Sequence, residues 1–364
     1  MLGLTALAAL VVLALAGVSS SSPSGPTLAG RPTAQRSSGG PAGFQPAALE
    51  FSPTFPAVGI AAGSNMQNWS LASVDRELDD YGRLHARWIR HDFAWNAIEE
   101  REGVFTWSGF DRLVDAARAR NINVIATIGY TPPWANGGHT DHRYAPTSAA
   151  QFGQFAGDVA ARYAPRGVNV YEIWDEPNVS YWQPTPNPAA YTAVLCAAYK
   201  RIHAADPAAI VLTGGASPAA NTATTYAPQT WLADLYADGA RNCFDGVAYH
   251  PYVDSVSTPG ALGGNWYVMY DAYGPHNLRT IMVEHGDSAK RIWATEVGCN
   301  RVVLGDAQCS ARLAEAFALW RTYRWAAVLC WFTYWDPDVY GLVTGTWAHR
   351  PQWRAYQAAA SKFS

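Results

Sequence analysis

The apolar positions of this chain fall into short runs that end abruptly in polar residues, followed by stretches with helical spacing. From Val58 onward the two patterns alternate. A short run that is apolar at every position reads as a strand buried on both faces, and the spaced stretches read as helices crossing between strands. Strands are predicted at 58–62, 86–93, 122–128, around 170–175, and at 210–214, 246–249, 291–297 and 327–332. Helices are predicted at 73–84, 110–120, 146–163, 188–205, 230–239, 278–286, 309–323 and 350–362. In the first of these, Val74, Leu78 and Tyr81 form the apolar stripe, behind a serine cap with Glu77 nearby. Strands that each lead into a helix predict α/β architecture, a (β/α)8 TIM barrel of one domain over 48–364.

The longest connections, 130–147, 177–188, 216–229, 251–277 and 334–347, all follow strands. In such a barrel that is the face where chemistry is built. Two strands bring acids to it. In Val170-Tyr-Glu-Ile-Trp-Asp-Glu-Pro-Asn-Val179 an apolar run ends in Asp175 and Glu176, and Pro177, which has no N–H to give, stops the ladder. Arg291-Ile-Trp-Ala-Thr-Glu-Val-Gly298 repeats the design with Glu296. Two carboxyl groups at two strand ends suit cleavage of a glycosidic bond: one gives a proton to the leaving oxygen, the other attacks or activates water. Asp175 adds a second negative charge beside Glu176, though adjacent strand residues point to opposite faces, so modest coupling is expected. Arg90, at the end of the second strand, and Tyr252, after the sixth, are candidates for keeping Glu296 ionised, and His250 ends the sixth strand on the same face.

Each of these residues also has a plain structural reading. Glu176 and Glu296 could be solvated acids, and Arg90 a barrel-mouth ion pair. His139, Asp141 and His142 share one loop and invite a metal reading, but no further ligand motif joins them, and no metal site is expected. Trp134, Trp182, Trp335 and Trp347 lie in the long connections, where they either stack on sugar or pack the loops down. Trp174 and Trp293, inside strands, read as core.

Composition narrows the classes. A hydrophobic content of 49% over 364 residues is enough for one large barrel or two small domains, and a net charge of −3 offers no basic footprint for nucleic acid. Residues 2–18 are apolar and uncharged, and Ala14-Leu15-Ala16 supplies a small-x-small pattern. This predicts a secretory signal peptide within 1–18, with a retained membrane anchor as the alternative because the basic n-region is missing. Residues 19–47 read as a Ser/Pro/Gly-rich tether. Together they predict an exported protein, secreted or held at the cell surface. Export permits disulfides. Cys299 with Cys309, and Cys196 with Cys243, are the expected pairs, leaving Cys330 in a buried strand.

The run Ile-Trp-Asp-Glu-Pro-Asn178, with Trp-Ala-Thr-Glu-Val-Gly298 about 120 residues on, resembles the clan A glycoside hydrolases. The similarity is nearest to the bacterial family 39-like and family 5-like members. It extends to Trp88-Ile-Arg90 with Trp95 and Glu99, to Tyr130-Thr-Pro-Pro-Trp134 and to Val247-Ala-Tyr-His-Pro-Tyr252. The resemblance implies retaining hydrolysis, with Glu176 as acid/base and Glu296 as nucleophile, about 5–5.5 Å apart. It also implies site roles for Arg90, His250, Tyr252 and Trp331, no cofactor, and a polysaccharide or oligosaccharide as partner. A monomer is expected. Where this chain has Asp175 the clan usually has asparagine, which donates a hydrogen bond; a carboxylate can only accept. The exchange leaves room for altered activity, or for a substrate with a non-acetylated amino group, which rates on deacetylated and acetylated forms of one polymer would test. Two rivals stay open: a catalytically weak or silent barrel that binds cell-surface glycan, and an exo-glycosidase of the xylosidase or iduronidase kind.

Overall fold

A computed structural model describes residues 54–253, 262–271 and 276–363. The predicted signal segment and tether lie outside the described residues, as does part of the predicted connection 251–277. Eight strands close a parallel barrel in chain order: β1 (Ala57–Ala61), β2 (Trp88–Ala94), β3 (Asn123–Gly129), β4 (Val170–Asp175), β5 (Ile210–Gly215), β6 (Gly246–Tyr249), β7 (Arg291–Val297) and β8 (Ala326–Phe332). The last pairs back onto the first, Gly59 opposite Cys330. Around them run α1 (Leu71–Leu84), α2 (Trp95–Ile98), α3 (Ser108–Arg118), α4 (Ala149–Tyr163), α5 (Pro188–Ala205), α6 (Pro228–Ala237), α7 (Gly264–Tyr267), α8 (Leu278–Glu284), α9 (Arg301–Trp320) and α10 (Pro351–Ala360). This is the (β/α)8 barrel that the alternation predicts.

The strands are apolar on both faces because both are covered. Inside, Trp88, Ile125, Val170, Leu212 and Trp293 fill the barrel floor; Trp88 and Trp293 meet edge to face at 5.8 Å, and Phe55 packs on both. Outside, residues such as Ile89, Tyr171 and Ile292 join the helices in the larger core.

Helix starts depart from the periodic stretches where a cap lies upstream of the stripe. Ser70 caps α1, its hydroxyl accepting from the Ser73 N–H at 3.2 Å, so the helix begins before the predicted serine. Asn300 caps α9, accepting from the N–H groups of Val302 and Val303. Gly305, at φ 77°, then separates that capped turn from the long helix, which hides the early start from any count of period.

Both expected disulfides form. Cys196 joins Cys243, tying α5 to the approach to β6, and Cys299 joins Cys309, tying the end of β7 to α9; Cys330 is buried and unpaired. Their sequence separations are 47 and 10 residues. Replacing both cysteines of the shorter pair by serine is expected to cost about 2–3 kcal/mol, and of the longer pair about 1 kcal/mol more. Urea denaturation of the two double variants checks that order. Among the described residues, no helix is long and apolar enough to cross a membrane.

Candidate active site

Arg90 is the centre of the carboxyl cluster. It points inward from β2 with 1% of its surface exposed, and its guanidinium donates in three directions. Nε bonds Glu172 at 2.5 Å, Nη1 bonds Glu296 at 2.6 Å, and Nη2 bonds Asp175 at 2.6 Å. One planar fork thus holds acids from β4 and β7, a task its fixed geometry suits better than a lysine would.

Glu172 is the deepest of these acids and was not predicted as a site residue. Its carboxylate also accepts from Thr127 Oγ1 and Thr295 Oγ1, both at 2.8 Å, and from the Gly215 N–H at 3.0 Å. Four donors satisfy it, so it anchors Arg90 and has no bond left to offer. A lone acid in the apolar run Val-Tyr-Glu-Ile-Trp is the one signal for it in the sequence.

The expectation that Asp175 and Glu176 face opposite sides is overturned. Trp174 adopts φ 71° and Glu176 φ 44°, both in the left-handed region, so the strand's alternation fails there. The Trp174 indole turns outward against Phe152 and Trp182, and both following acids reach the cluster. Asp175 takes Arg90 on one oxygen and the Tyr130 hydroxyl on the other at 3.1 Å. Its charge therefore already has a cationic partner within the protein.

His250, fully buried at the end of β6, stands between the acids. Its Nδ1 is 3.0 Å from Glu176 Oε1 and 3.8 Å from Glu296 Oε2, and its Nε2 is 3.9 Å from Asp175. Gly215 makes this approach possible, because a Cβ there would lie 2.1 Å from Nε2. Burial disfavours the charged imidazole, yet Glu296, the bond to Glu176 and Asp175 outweigh it and push His250 up to about 9. A base raised in the folded state stabilises folding fully below its unfolded value, about 6.5, and loses that contribution as pH rises through about 9. Thermal melts from pH 6 to 10 are expected to show a decline in the wild type that His250→Gln lacks.

Glu296 accepts from Arg90 on Oε1 and from the Tyr252 hydroxyl on Oε2 at 2.6 Å. Burial pushes its carboxyl above the ordinary carboxylate range, while His250 and Arg90 pull the other way. Asp175, His250 and Glu296 are close enough to share one cation, but Arg90 already supplies positive charge to both carboxylates.

The aromatic residues divide. Trp331 is a correction: it is 1% exposed and packs on Phe317 of α9, outside the barrel. Its neighbour Phe332 packs with Tyr252 and Tyr340 at the opening instead. A one-residue miscount along a strand exchanges its faces. Trp134 is half-buried, its indole N–H on the Glu99 carbonyl at 3.0 Å and its ring edge-on to Trp95. Trp335 is half-buried with Trp69 and Trp347, joining the loops after β1 and β8. The metal reading of the 139–142 loop finds no support in its contacts: His139 stacks on Tyr144, and Asp141 pairs with Arg143.

The fold, and part of the sequence, have known counterparts. The family described as the glycoside hydrolase family 42 beta-galactosidases matches residues 65–153. No curated protein matches the chain. A family 39 glycoside hydrolase from Bacteroides cellulosilyticus WH2 is similar, with 22% identity, a TM-score of 0.65, and coverage of 84% of this chain and 63% of that one. A second family 39 enzyme, from Xanthomonas axonopodis pv. citri, gives 19% identity, a TM-score of 0.68, and coverage of 84% and 66%. A family GH5_18 protein of Streptomyces cattleya in complex with GlcNAc gives 14% identity, a TM-score of 0.64, and coverage of 85% and 80%. The chain spans slightly less than two thirds of the length of the two family 39 structures. It resembles the clan A glycoside hydrolases in its fold, and over 65–153 in its sequence.

Proposed function

We propose that the chain is a glycoside hydrolase that cleaves a polysaccharide with retention of configuration, Glu176 as acid/base and Glu296 as nucleophile. The observation that carries the reading is the shared contact of His250 Nδ1 with both glutamates. The two distances bound the separation of those oxygens from above, which admits the retaining separation of about 5–5.5 Å and leaves only the lowest edge of the inverting range of about 6.5–9.5 Å. Glu296 has a donor on each oxygen, Arg90 and Tyr252, an arrangement that favours the carboxylate a nucleophile needs. Among the described residues the Glu176 carboxyl has its one hydrogen bond with His250, and its side chain is 17% exposed.

In the first step Glu296 attacks the anomeric carbon while Glu176 gives its proton to the departing oxygen. In the second, water attacks that carbon as Glu176 takes its proton, and the Glu296 ester is released. The ester carries no charge, which suits Glu176 to act as base. These steps call on no metal or organic cofactor. The two disulfides support an extracellular setting, where the protein acts as a monomer.

A polysaccharide panel tests this reading, run on the wild type beside Glu296→Gln, with proton NMR of the first product. The expected result is reducing ends from the wild type alone, born with the anomeric configuration of the substrate. An inverted first product overturns the role of Glu296 as nucleophile. Binding by both proteins without release overturns hydrolysis altogether.

A further inference from the structure

We infer that Asp92 is a further substrate-contacting residue, whose carboxyl hydrogen-bonds a hydroxyl group of the bound sugar. This rests on the hydrolase reading and deepens it. Trp88, Arg90 and Asp92 share the inward face of β2, so Asp92 stands one step above Arg90, nearer the opening. It pairs with Thr127 across β3, and its own N–H donates to the Gly63 carbonyl at 3.2 Å, where β1 has ended.

The side chain is 7% exposed, yet Oδ1 is buried with no hydrogen-bond partner, and no described residue bonds the carboxyl at all. Glu172, in the same cluster, has every donor it needs. Native proteins pair most of their buried polar atoms, so an unpaired carboxyl oxygen one step above Arg90 is open to a partner that a bound sugar brings. The groups that face it are Arg90 on β2, Tyr130 after β3, Glu172 and Asp175 on β4 and Glu296 on β7. The next residue, His91, turns away onto Phe93 and Phe110. Burial raises the Asp92 carboxyl to about 7; Arg90 opposes this, and the three acids add to it. Below that pH the group is a neutral acid, able to donate as well as accept, which matches a sugar hydroxyl.

The test uses Asp92→Ala and Asp92→Asn, each in the wild type and in Glu296→Gln, with the polysaccharide that the panel identifies. Asp92→Ala is expected to lower kcat/KM about tenfold, and in the Glu296→Gln background to weaken the calorimetric Kd about tenfold. In the Glu296→Gln background, where binding is read without the proton transfer from Glu176, Asp92→Asn, of nearly the same size and unable to ionise, is expected to remove a weakening of Kd above pH about 7 that its parent shows. A merely structural role would leave that weakening in place. Asp92→Ala within about twofold of its parent in both measurements, or an unchanged weakening of Kd with pH in Asp92→Asn, overturns the inference and leaves the hydrolase reading standing. A panel with neither turnover nor binding overturns both.

Discussion

Glu296→Gln is expected to lower kcat by about 10⁴-fold on every substrate, because the proposed covalent intermediate forms on the carboxylate that the amide replaces. Glu176→Gln should behave differently. A general acid contributes about 10²–10⁴-fold, and only where the leaving group needs a proton. Its deficit should be large on polysaccharide and shrink in the first step on a nitrophenyl glycoside, whose leaving group departs as an anion. Pre-steady-state release of nitrophenol from the two variants separates the roles; recovery in Glu296→Gln instead would exchange them. Stability gives a second readout. Burial holds the Glu296 carboxyl above its usual range, so its ionisation opposes folding once pH exceeds the unfolded value. A neutral amide relieves that opposition, and Glu296→Gln is expected to melt no lower than the wild type at pH 8.

Arg90→Met should be the most destabilising single change in the cluster. It leaves Glu172 buried without a cation and Asp175 and Glu296 with His250 alone, and breaking a buried pair from one side costs about 3–5 kcal/mol. The orphaned carboxyls can take up protons instead, so the deficit in urea stability should narrow from pH 8 to pH 5. Arg90→Lys is expected to recover little of it. An ammonium on a flexible stem cannot reach three acids lying in three directions. Equal loss at both pH values would show that Arg90 contributes packing rather than charge.

The barrel was legible because its strands are apolar throughout and stop at residues that cannot continue a ladder. The helix at 188–205 was read with its observed bounds, since Asn187 caps it and Pro188 occupies its first turn. The two glutamates were legible for a related reason: Pro177 and Gly298 mark where their runs leave the sheet. What stayed hidden depends on partners or on backbone twist. Glu172 is distinguished by donors from four other strands, none of them near it in sequence. The left-handed turn at Trp174 defeats the rule of two, so the opposite faces expected of Asp175 and Glu176 do not occur. Trp331 was misplaced because its family role was carried over by residue type, and the face that looks on the opening belongs to Phe332.

The three-way fork of Arg90 also links two stretches of chain that are far apart in synthesis. Arg90 and Glu176 come from the first four strands, His250 and Glu296 from the last four. Arg90 bonds Glu296 and His250 bonds Glu176, so each half of the barrel carries the partner of the other half's glutamate. A chimaera that takes its halves from two parents inherits one acid without its proper companion whenever either companion differs. Recombination within such a lineage is therefore constrained at two pairs, and a half-barrel expressed alone holds neither glutamate in its working surroundings.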